Sequence, residues 1–255
     1  MAKVGRVVLF SGGNDSLATV HIVRNHVDAV AHIVTGIGIL ETTEFVKETC
    51  REWNLPLILL ITPPEVYEEF IFKTNSNGRV MGFPGPSGHQ AIYYYLKQRR
   101  VRELRKMFVK NYGDYVIFFT GIRSNESNRR MLSKMAVPVR KEGSIIWVNP
   151  ILKWTINKRD NYLEINNVRL NPVTNNLHRS GECLCGAFAY SDELNEIEFF
   201  YPDIAKRIRN LEEKLTILGA KNCQWGGGGK KSKKIKVPGP LCFGCQQTGL
   251  NGIIK

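Results

Sequence analysis

The run Ser11-Gly12-Gly13-Asn14-Asp15-Ser16, set directly behind the apolar stretch Val7-Val8-Leu9-Phe10, constrains this chain more than any other feature. Four consecutive apolar residues ending on a serine and two glycines read as a buried parallel strand that runs into a tight loop. Leu17, Val20, Val23 and Val27 then recur at helical spacing, so the loop leads into a helix over Ser16 to His26. A glycine-rich turn at this place lets the backbone approach a ligand closely, and the helix start offers free amides and a positive dipole end to an anion. Ser11 and Ser16 add hydroxyl donors, and Asp15 is placed to cap the helix or to help hold Mg²⁺. In an open parallel sheet the first strand-to-helix crossover is where ligands bind, so the loop is expected to grip phosphate. It is not a Walker loop, because no Gly-x-x-x-x-Gly-Lys-Ser/Thr is present, and Gly36-Ile37-Gly38 lacks the third glycine of a dinucleotide fingerprint.

Further strands are predicted at Ala29 to Val34, Leu57 to Ile61 and Tyr115 to Thr120, and a second helix at Thr42 to Trp53. Cys50 shares an apolar face with Val46 and Trp53 in that helix and reads as packed core. Strands alternating with helices imply right-handed crossovers and a doubly wound parallel α/β sheet. A Gly/Pro-rich loop from Arg79 to Gly88 precedes one long helix, His89 to Tyr112, with Tyr94, Val101, Leu104 and Phe108 facing the core. Beyond Pro150 the expected elements are a short helix at Lys158 to Asn166, an irregular stretch from Asn171 to Gly186, and a helix from Pro202 to Leu218 stopped by Gly219. These assign 1–170 to a nucleotide-binding α/β domain and 171–255 to a helical, cysteine-bearing extension.

Length and composition agree: 255 residues, 43% hydrophobic and 23% charged, suffice for a large core without disulfides. Met1 to Arg6 shows no secretory pattern and Leu57 to Ile61 is far too short to span a bilayer, so a cytoplasmic protein without membrane attachment is expected. The formal charge of +13 is concentrated. Lys97 to Lys110 holds seven basic residues and one Glu, Gly121 to Lys141 six and one Glu, and Lys230 to Lys236 five lysines, which leaves the remainder slightly acidic. Such patches suit a polyanion. Arg99, Arg102, Lys106 and Lys110 form a stripe on one helix face, with Tyr93, Tyr94 and Tyr95 beside it for stacking on bases, so this is the candidate nucleic-acid surface. Gly121-Ile122-Arg123 follows the fourth strand, which brings Arg123, Arg129 and Arg130 to the sheet edge near the loop, where guanidinium groups suit phosphate or sulfate oxygens.

Six cysteines in a reducing compartment point to metal or catalytic sulfur. Cys183-Leu184-Cys185 and Cys242-Phe243-Gly244-Cys245 are two close pairs whose thiolates suit one ion, either tetrahedral Zn²⁺ or a four-iron cluster, with Cys223 as a possible substitute. His178 is a secondary ligand candidate, and His89 reads as a surface or capping residue.

Ser-Gly-Gly-x-Asp-Ser resembles the PP-loop of the adenine nucleotide α-hydrolase superfamily, and the chain looks like the phosphoadenylyl-sulfate (PAPS) reductase family within it. Thr35-Gly36 with Glu41-Thr42-x-x-Phe45 resembles that family's second-strand signature, and Gly121-Ile122-Arg123-x-x-Glu126-Ser127-x-x-Arg130 its Gly-Ile-Arg segment. The resemblance covers residues 4 to 200. It implies that Ser11 to Ser16 (Ser11, Gly12, Gly13, Asn14, Asp15, Ser16) grips a pyrophosphate or sulfate, that Thr35 and Gly36 lie beside the adenosine, and that Gly121 and Arg123 complete the nucleotide site. Asn14 stands where many relatives carry Lys, so the phosphates need another cation, from Arg123, Arg130 or Mg²⁺. The tail Gln246-Gln247-Thr248-Gly249-Leu250 lacks the Glu-Cys-Gly-x-His of sulfonucleotide reductases, and no Cys-Cys pair of the APS-reducing type is present. Ser180-Gly181-Glu182-Cys183 looks like the cysteine segment of PAPS-reductase-like proteins of DNA phosphorothioation, which carry clusters, and favours iron–sulfur over zinc.

Three functions follow from this reading. The leading one is an ATP- and Mg²⁺-dependent enzyme that cleaves ATP between the α and β phosphates and adenylates tRNA or DNA for sulfur incorporation from a donor protein, with Asp15, Arg123 and Arg130 as catalytic residues. The others are reduction of PAPS or adenylyl sulfate, and a catalytically idle nucleotide- or nucleic-acid-binding module.

Overall fold

The computed structural model of the chain describes residues 4–124, 136–190 and 192–227. Six strands form one sheet: β1 (Gly5–Leu9), β2 (Ala29–Val34), β3 (Leu57–Ile61), β4 (Val116–Phe119), β5 (Val139–Glu142) and β6 (Ile145–Val148), in the order β3-β2-β1-β4-β6-β5. Every pair is parallel except β5–β6, so the four predicted strands pair as expected. β1 lies between β2 and β4, and this reversal of strand order opens a crevice beyond the carboxyl ends of β1 and β4.

Alternation along β1 sends neighbouring side chains to opposite faces. Val7 packs with Ala29, Ala31, Val116 and Phe118 against Val101, Leu104 and Phe108 of the helix α5 (Arg99–Tyr112). Val8 and Phe10 pack on the other face with Leu17, Ala18 and Val20 of α1 (Asn14–Val23) and Phe45, Val46 and Cys50 of α2 (Leu40–Glu52). Helices therefore cover both faces, and the doubly wound α/β fold expected from the pattern is the fold observed. Burial pushes the Cys50 thiol up to about 12, as suits a cysteine that serves as core.

The chain departs from the sequence reading in several places. The long helix is three pieces: α4 (His89–Tyr93), a wide π turn over Tyr94–Gln98, and α5. The extra residue in that turn leaves Tyr94 and Tyr95 half-buried, Tyr93 exposed and Leu96 buried. Glu65–Phe72 forms α3, for which no periodicity stands out. The β5–β6 hairpin turns at Gly143, whose φ of 59° suits the turn, and places Arg140, Lys141 and Glu142 on the sheet edge. Ile156–Ile165 is α6, capped by the Thr155 side chain, which accepts from the Lys158 amide. The stretch expected to be irregular begins with a short helix, α7 (Pro172–Leu177), whose cap is Asn171: its side chain accepts from the Val173 amide, and Pro172 fits the first turn.

Over its described residues the chain divides into two compact units, Met1–Phe70 with Gln90–Cys185, and Ile71–His89 with Gly186–Lys255. The sheet belongs to the first. In the second, α8 (Glu193–Phe200) and α9 (Pro202–Ile217) pack through Leu194, Ile197, Ala205, Ile208, Leu211 and Leu215. Gly219, at φ 64°, ends α9 as expected, and Leu218, the last residue of the expected helix, is exposed.

Candidate functional site

The loop between β1 and α1 begins with Gly12 at φ 77°, a left-handed conformation that favours glycine, and a Cβ there would sit 2.6 Å from the Thr42 methyl. Ser16 Oγ donates to the Gly13 carbonyl at 2.8 Å and accepts from the Ser11 amide at 3.2 Å, and the Ser11 and Ser16 hydroxyls are 3.0 Å apart. The two serines thus brace the loop on itself. Gly13 caps the helix in extended conformation with no side-chain cap, and the first helical bond runs from the Leu17 amide to the Gly13 carbonyl at 2.9 Å. The amides of Asn14, Asp15 and Ser16 consequently have no partner within the helix, as an anion site at a helix start requires.

Asp15 does not cap α1. Its Oδ1 accepts from Arg123 Nε at 2.6 Å and from Arg159 Nη1 at 3.0 Å. Arg123 is 3% exposed, and among the described residues its Nη1 has no hydrogen-bond partner. Gly121 explains how that guanidinium arrives. A Cβ at Gly121 would lie 2.7 Å from the Asp15 carbonyl carbon and from the Ser16 amide nitrogen, so only glycine lets the strand β4 loop touch the first turn of α1. Burial by itself lowers the Arg159 guanidinium, but its bonds to Asp15 and Asp160 outweigh this and shift it upward.

Behind the loop, Asn171 is fully buried and works in three directions: it caps α7, and its Nδ2 donates to the Gly12 carbonyl at 2.9 Å and to Thr42 Oγ1 at 3.2 Å. The Thr174 hydroxyl of α7 lies 2.7 Å from the Asn171 carbonyl and 3.1 Å from Asn14 Oδ1, two acceptors that share its one proton. His32 lies beneath in β2, its Nδ1 donating to the Phe10 carbonyl at 2.7 Å and its Nε2 3.1 Å from Thr43 Oγ1. Because a carbonyl only accepts, the proton sits on Nδ1 and Nε2 accepts from Thr43.

Ser180–Glu182 straps the loop after β2. The Thr42 hydroxyl donates to the Ser180 carbonyl, the Ile39 amide to Gly181 at 2.9 Å, and the Thr35 hydroxyl to the Glu182 carbonyl at 2.6 Å. Thr35 is buried with its hydroxyl committed, and Gly36 is backed against the Thr62 carbonyl and Pro64. The Glu182 carboxylate takes Lys97 Nζ at 2.8 Å. Burial pulls the Lys97 ammonium down, but Glu182 and the neighbouring Cys183 raise it further, and the net shift is upward. Cys183 and Cys185 are brought together: the Cys185 side chain and burial push the Cys183 thiol up, against the opposing pull of Lys97.

Cys242 and Cys245 lie outside the described residues, as do Arg129, Arg130 and the Lys230 to Lys236 run. Among the described residues no group of three or more His, Cys, Asp or Glu side chains is placed to hold a metal ion. The Asp15 carboxylate faces two guanidinium groups rather than standing out for Mg²⁺. Arg99, Arg102, Lys106 and Lys110 are all exposed on α5. Arg99 lies over the Tyr95 and Tyr94 rings at 4.5 and 5.2 Å, and Arg102 over Tyr94 at 5.1 Å. Sequence reasoning missed Arg159 and Thr174, which carry no local signal. It also missed Asn171, whose position before Pro172 is a recognisable helix start.

Residues 5–185 match the phosphoadenosine phosphosulfate reductase domain family. The chain belongs to that family. The matched stretch of this PAPS reductase domain takes in the loop Ser11–Ser16, Arg123, Arg159 and Asn171, so the site just described lies wholly within it. Membership makes the chain a nucleotide-binding member of an enzyme family. Among solved structures the domain is similar to phosphoadenylyl-sulfate (PAPS) reductase from Candida auris in its phosphate complex, at 17% identity and TM-score 0.46 over 66% of this chain and 76% of that one. It is also similar to the NH3-dependent NAD synthetase of Campylobacter jejuni in complex with the nitrate ion, at 15% identity and TM-score 0.45 over 85% of this chain and 82% of that one. A third is a predicted subunit of tRNA methyltransferase from Methanocaldococcus jannaschii, at 15% identity and TM-score 0.37 over 63% and 74%. No curated protein sequence matches the chain. No helix among the described residues of this PAPS reductase domain is long and apolar enough to cross a membrane.

Proposed function

We propose that this chain binds ATP, delivered as its magnesium complex, at Ser11–Ser16 and transfers the adenylyl group to an oxygen of tRNA or DNA, activating it for replacement by sulfur. In the chemical step the acceptor oxygen supplies an electron pair to the α phosphorus. The bond from the α phosphorus to the bridging oxygen breaks, and pyrophosphate leaves with that pair. A sulfur nucleophile brought by a donor protein then displaces AMP from the activated position.

The observation that carries this reading is the pairing of open first-turn amides on α1 with Arg123, a buried guanidinium whose Nη1 has no partner among the described residues. Charge develops on the leaving pyrophosphate, and donors fixed in advance in a poorly solvated place stabilise it without reorganising. Thr35 and Gly36 form the adenosine side of the proposed site through their backbone, because the Thr35 hydroxyl is engaged. The exposed α5 stripe of Arg99, Arg102, Lys106 and Lys110 is the proposed nucleic-acid surface. Cys183 and Cys185, with Cys242 and Cys245, are the proposed ligands of a four-iron cluster, zinc being the alternative, which would supply a structural clasp or electrons. The proposed setting is cytoplasmic, where thiols stay reduced.

Exchange of labelled pyrophosphate into ATP, with and without bulk tRNA or duplex DNA, tests the proposal. Exchange stimulated by nucleic acid and lost in Arg123→Met is expected. Sulfite release from PAPS or adenylyl sulfate without any exchange would replace it with reduction of a sulfonucleotide.

A further inference from the structure

The segment Ser11–Ser16 contains no Lys or Arg, yet it carries the Asp15 carboxylate. A polyphosphate laid on this loop meets a like charge unless cations intervene, and a partly buried place screens that repulsion less than bulk water does. Both cations on Asp15 among the described residues reach the same oxygen, Oδ1. They are held very differently. Arg123 is buried, comes from the loop that Gly121 presses against α1, and grips Asp15 through Nε at 2.6 Å. Arg159 comes from the first turn of α6 and straddles two carboxylates, Asp15 through Nη1 at 3.0 Å and Asp160 Oδ1 through both Nε at 2.7 Å and Nη2 at 2.6 Å. Asp160 is half exposed, so water competes for that second bond.

From this difference we infer that Arg159 is a phosphate ligand held in reserve on Asp15. It swings from Oδ1 to the terminal phosphates of the nucleotide, while Arg123 stays and keeps Asp15 neutralised. The guanidinium gives up Asp15, keeps Asp160 on its Nε and Nη2 edge, and presents its Nη1 and Nη2 end to a planar pair of phosphate oxygens, a fork-to-fork match that a lysine does not reproduce. The role rests on the reading that the loop binds nucleotide phosphate. It adds to that reading a residue that counts phosphates: Arg159 discriminates ATP from AMP, because only the longer chain extends past the open amides.

The test is calorimetric titration of wild type, Arg159→Met and Arg159→Lys with AMP, ADP, ATP and inorganic pyrophosphate, with urea denaturation to confirm that each variant folds. Arg159→Met is expected to weaken ATP and pyrophosphate by about tenfold or more, as removal of a charge-assisted bidentate grip does, while AMP affinity holds. Arg159→Lys is expected to recover part of the ATP affinity, because it keeps the charge and lacks the fork. Unchanged ATP and pyrophosphate binding in Arg159→Met overturns the inference. So does equal weakening of AMP and ATP, which marks a merely structural side chain. Wild type that binds none of the four ligands removes the nucleotide reading itself, and the inference with it.

Discussion

At the scale of single residues, His32 shows how much of the site is held from below. Its ring bridges the Phe10 carbonyl, one residue before the loop, and Thr43 of α2, and burial pulls it below the ordinary value of 6.5, with Lys97 and Lys47 acting in the same sense and Glu182 and the Phe10 carbonyl opposing. A depressed folded value means that the unfolded chain takes up the proton first. The contribution of His32 is therefore complete above pH 6.5 and is lost as the pH falls below it, with a slope of at most about 1.4 kcal/mol per pH unit. Urea denaturation at neutral and mildly acidic pH checks this, and His32→Gln, which keeps one donor and one acceptor without titrating, is expected to flatten the profile. The sequence makes the place of the loop legible, because Ser, Gly, Asn and Asp favour a strand-to-helix turn, but not the ion pairs that Asp15 forms. Arg159 is not legible, and Asn171 is legible only as a helix cap, since the two meet their loop partners across 144 and 159 residues of chain. No window of sequence contains both halves of such a pairing.

At the scale of elements, α7 is the brace of the site. Six residues make a weak helix on their own. Asn171 stabilises this one by capping it and, through the same amide group, ties the Gly12 carbonyl and Thr42 together. Asn171→Ala is expected to cost about 1 kcal/mol for the cap and roughly 1–3 kcal/mol more for the buried carbonyl left unpaired, and to weaken nucleotide binding. Asn171→Asp keeps the cap acceptor but lacks the amide donor, so it should retain helix stability better than it retains affinity. Denaturation and nucleotide titration of both variants separate the two effects. The strands and α1, α2 and α9 follow from periodicity, whereas the π turn, α3 and the β5–β6 hairpin do not. Their residues are placed by packing or by a single turn glycine rather than by a repeating pattern.

For the whole molecule, the net charge of +13 divides by task. Arg123 is buried against Asp15 and Lys97 is half-buried against Glu182, so both charges are largely neutralised by their partners. Arg99, Arg102, Lys106 and Lys110 face solvent on α5, where the proposed nucleic-acid surface lies. Replacing these four by Gln is expected to leave ATP affinity unchanged. It should also lower the slope of log affinity against log salt for duplex DNA by about 0.9 for each phosphate that the variant no longer neutralises. A salt titration with labelled duplex and tRNA reads this directly, and an unchanged slope would move the footprint elsewhere.

The close approach at Gly121 carries a further consequence. Backbone meets backbone there, with no side chain between the strand β4 loop and the first turn of α1. Packed main chain has few alternative arrangements and little give, so the two loops shift together or not at all. A molecule that moved Gly121–Ser124 would therefore move the first turn of α1 with it, and any resulting change in the affinity of that turn for a ligand would be reciprocal.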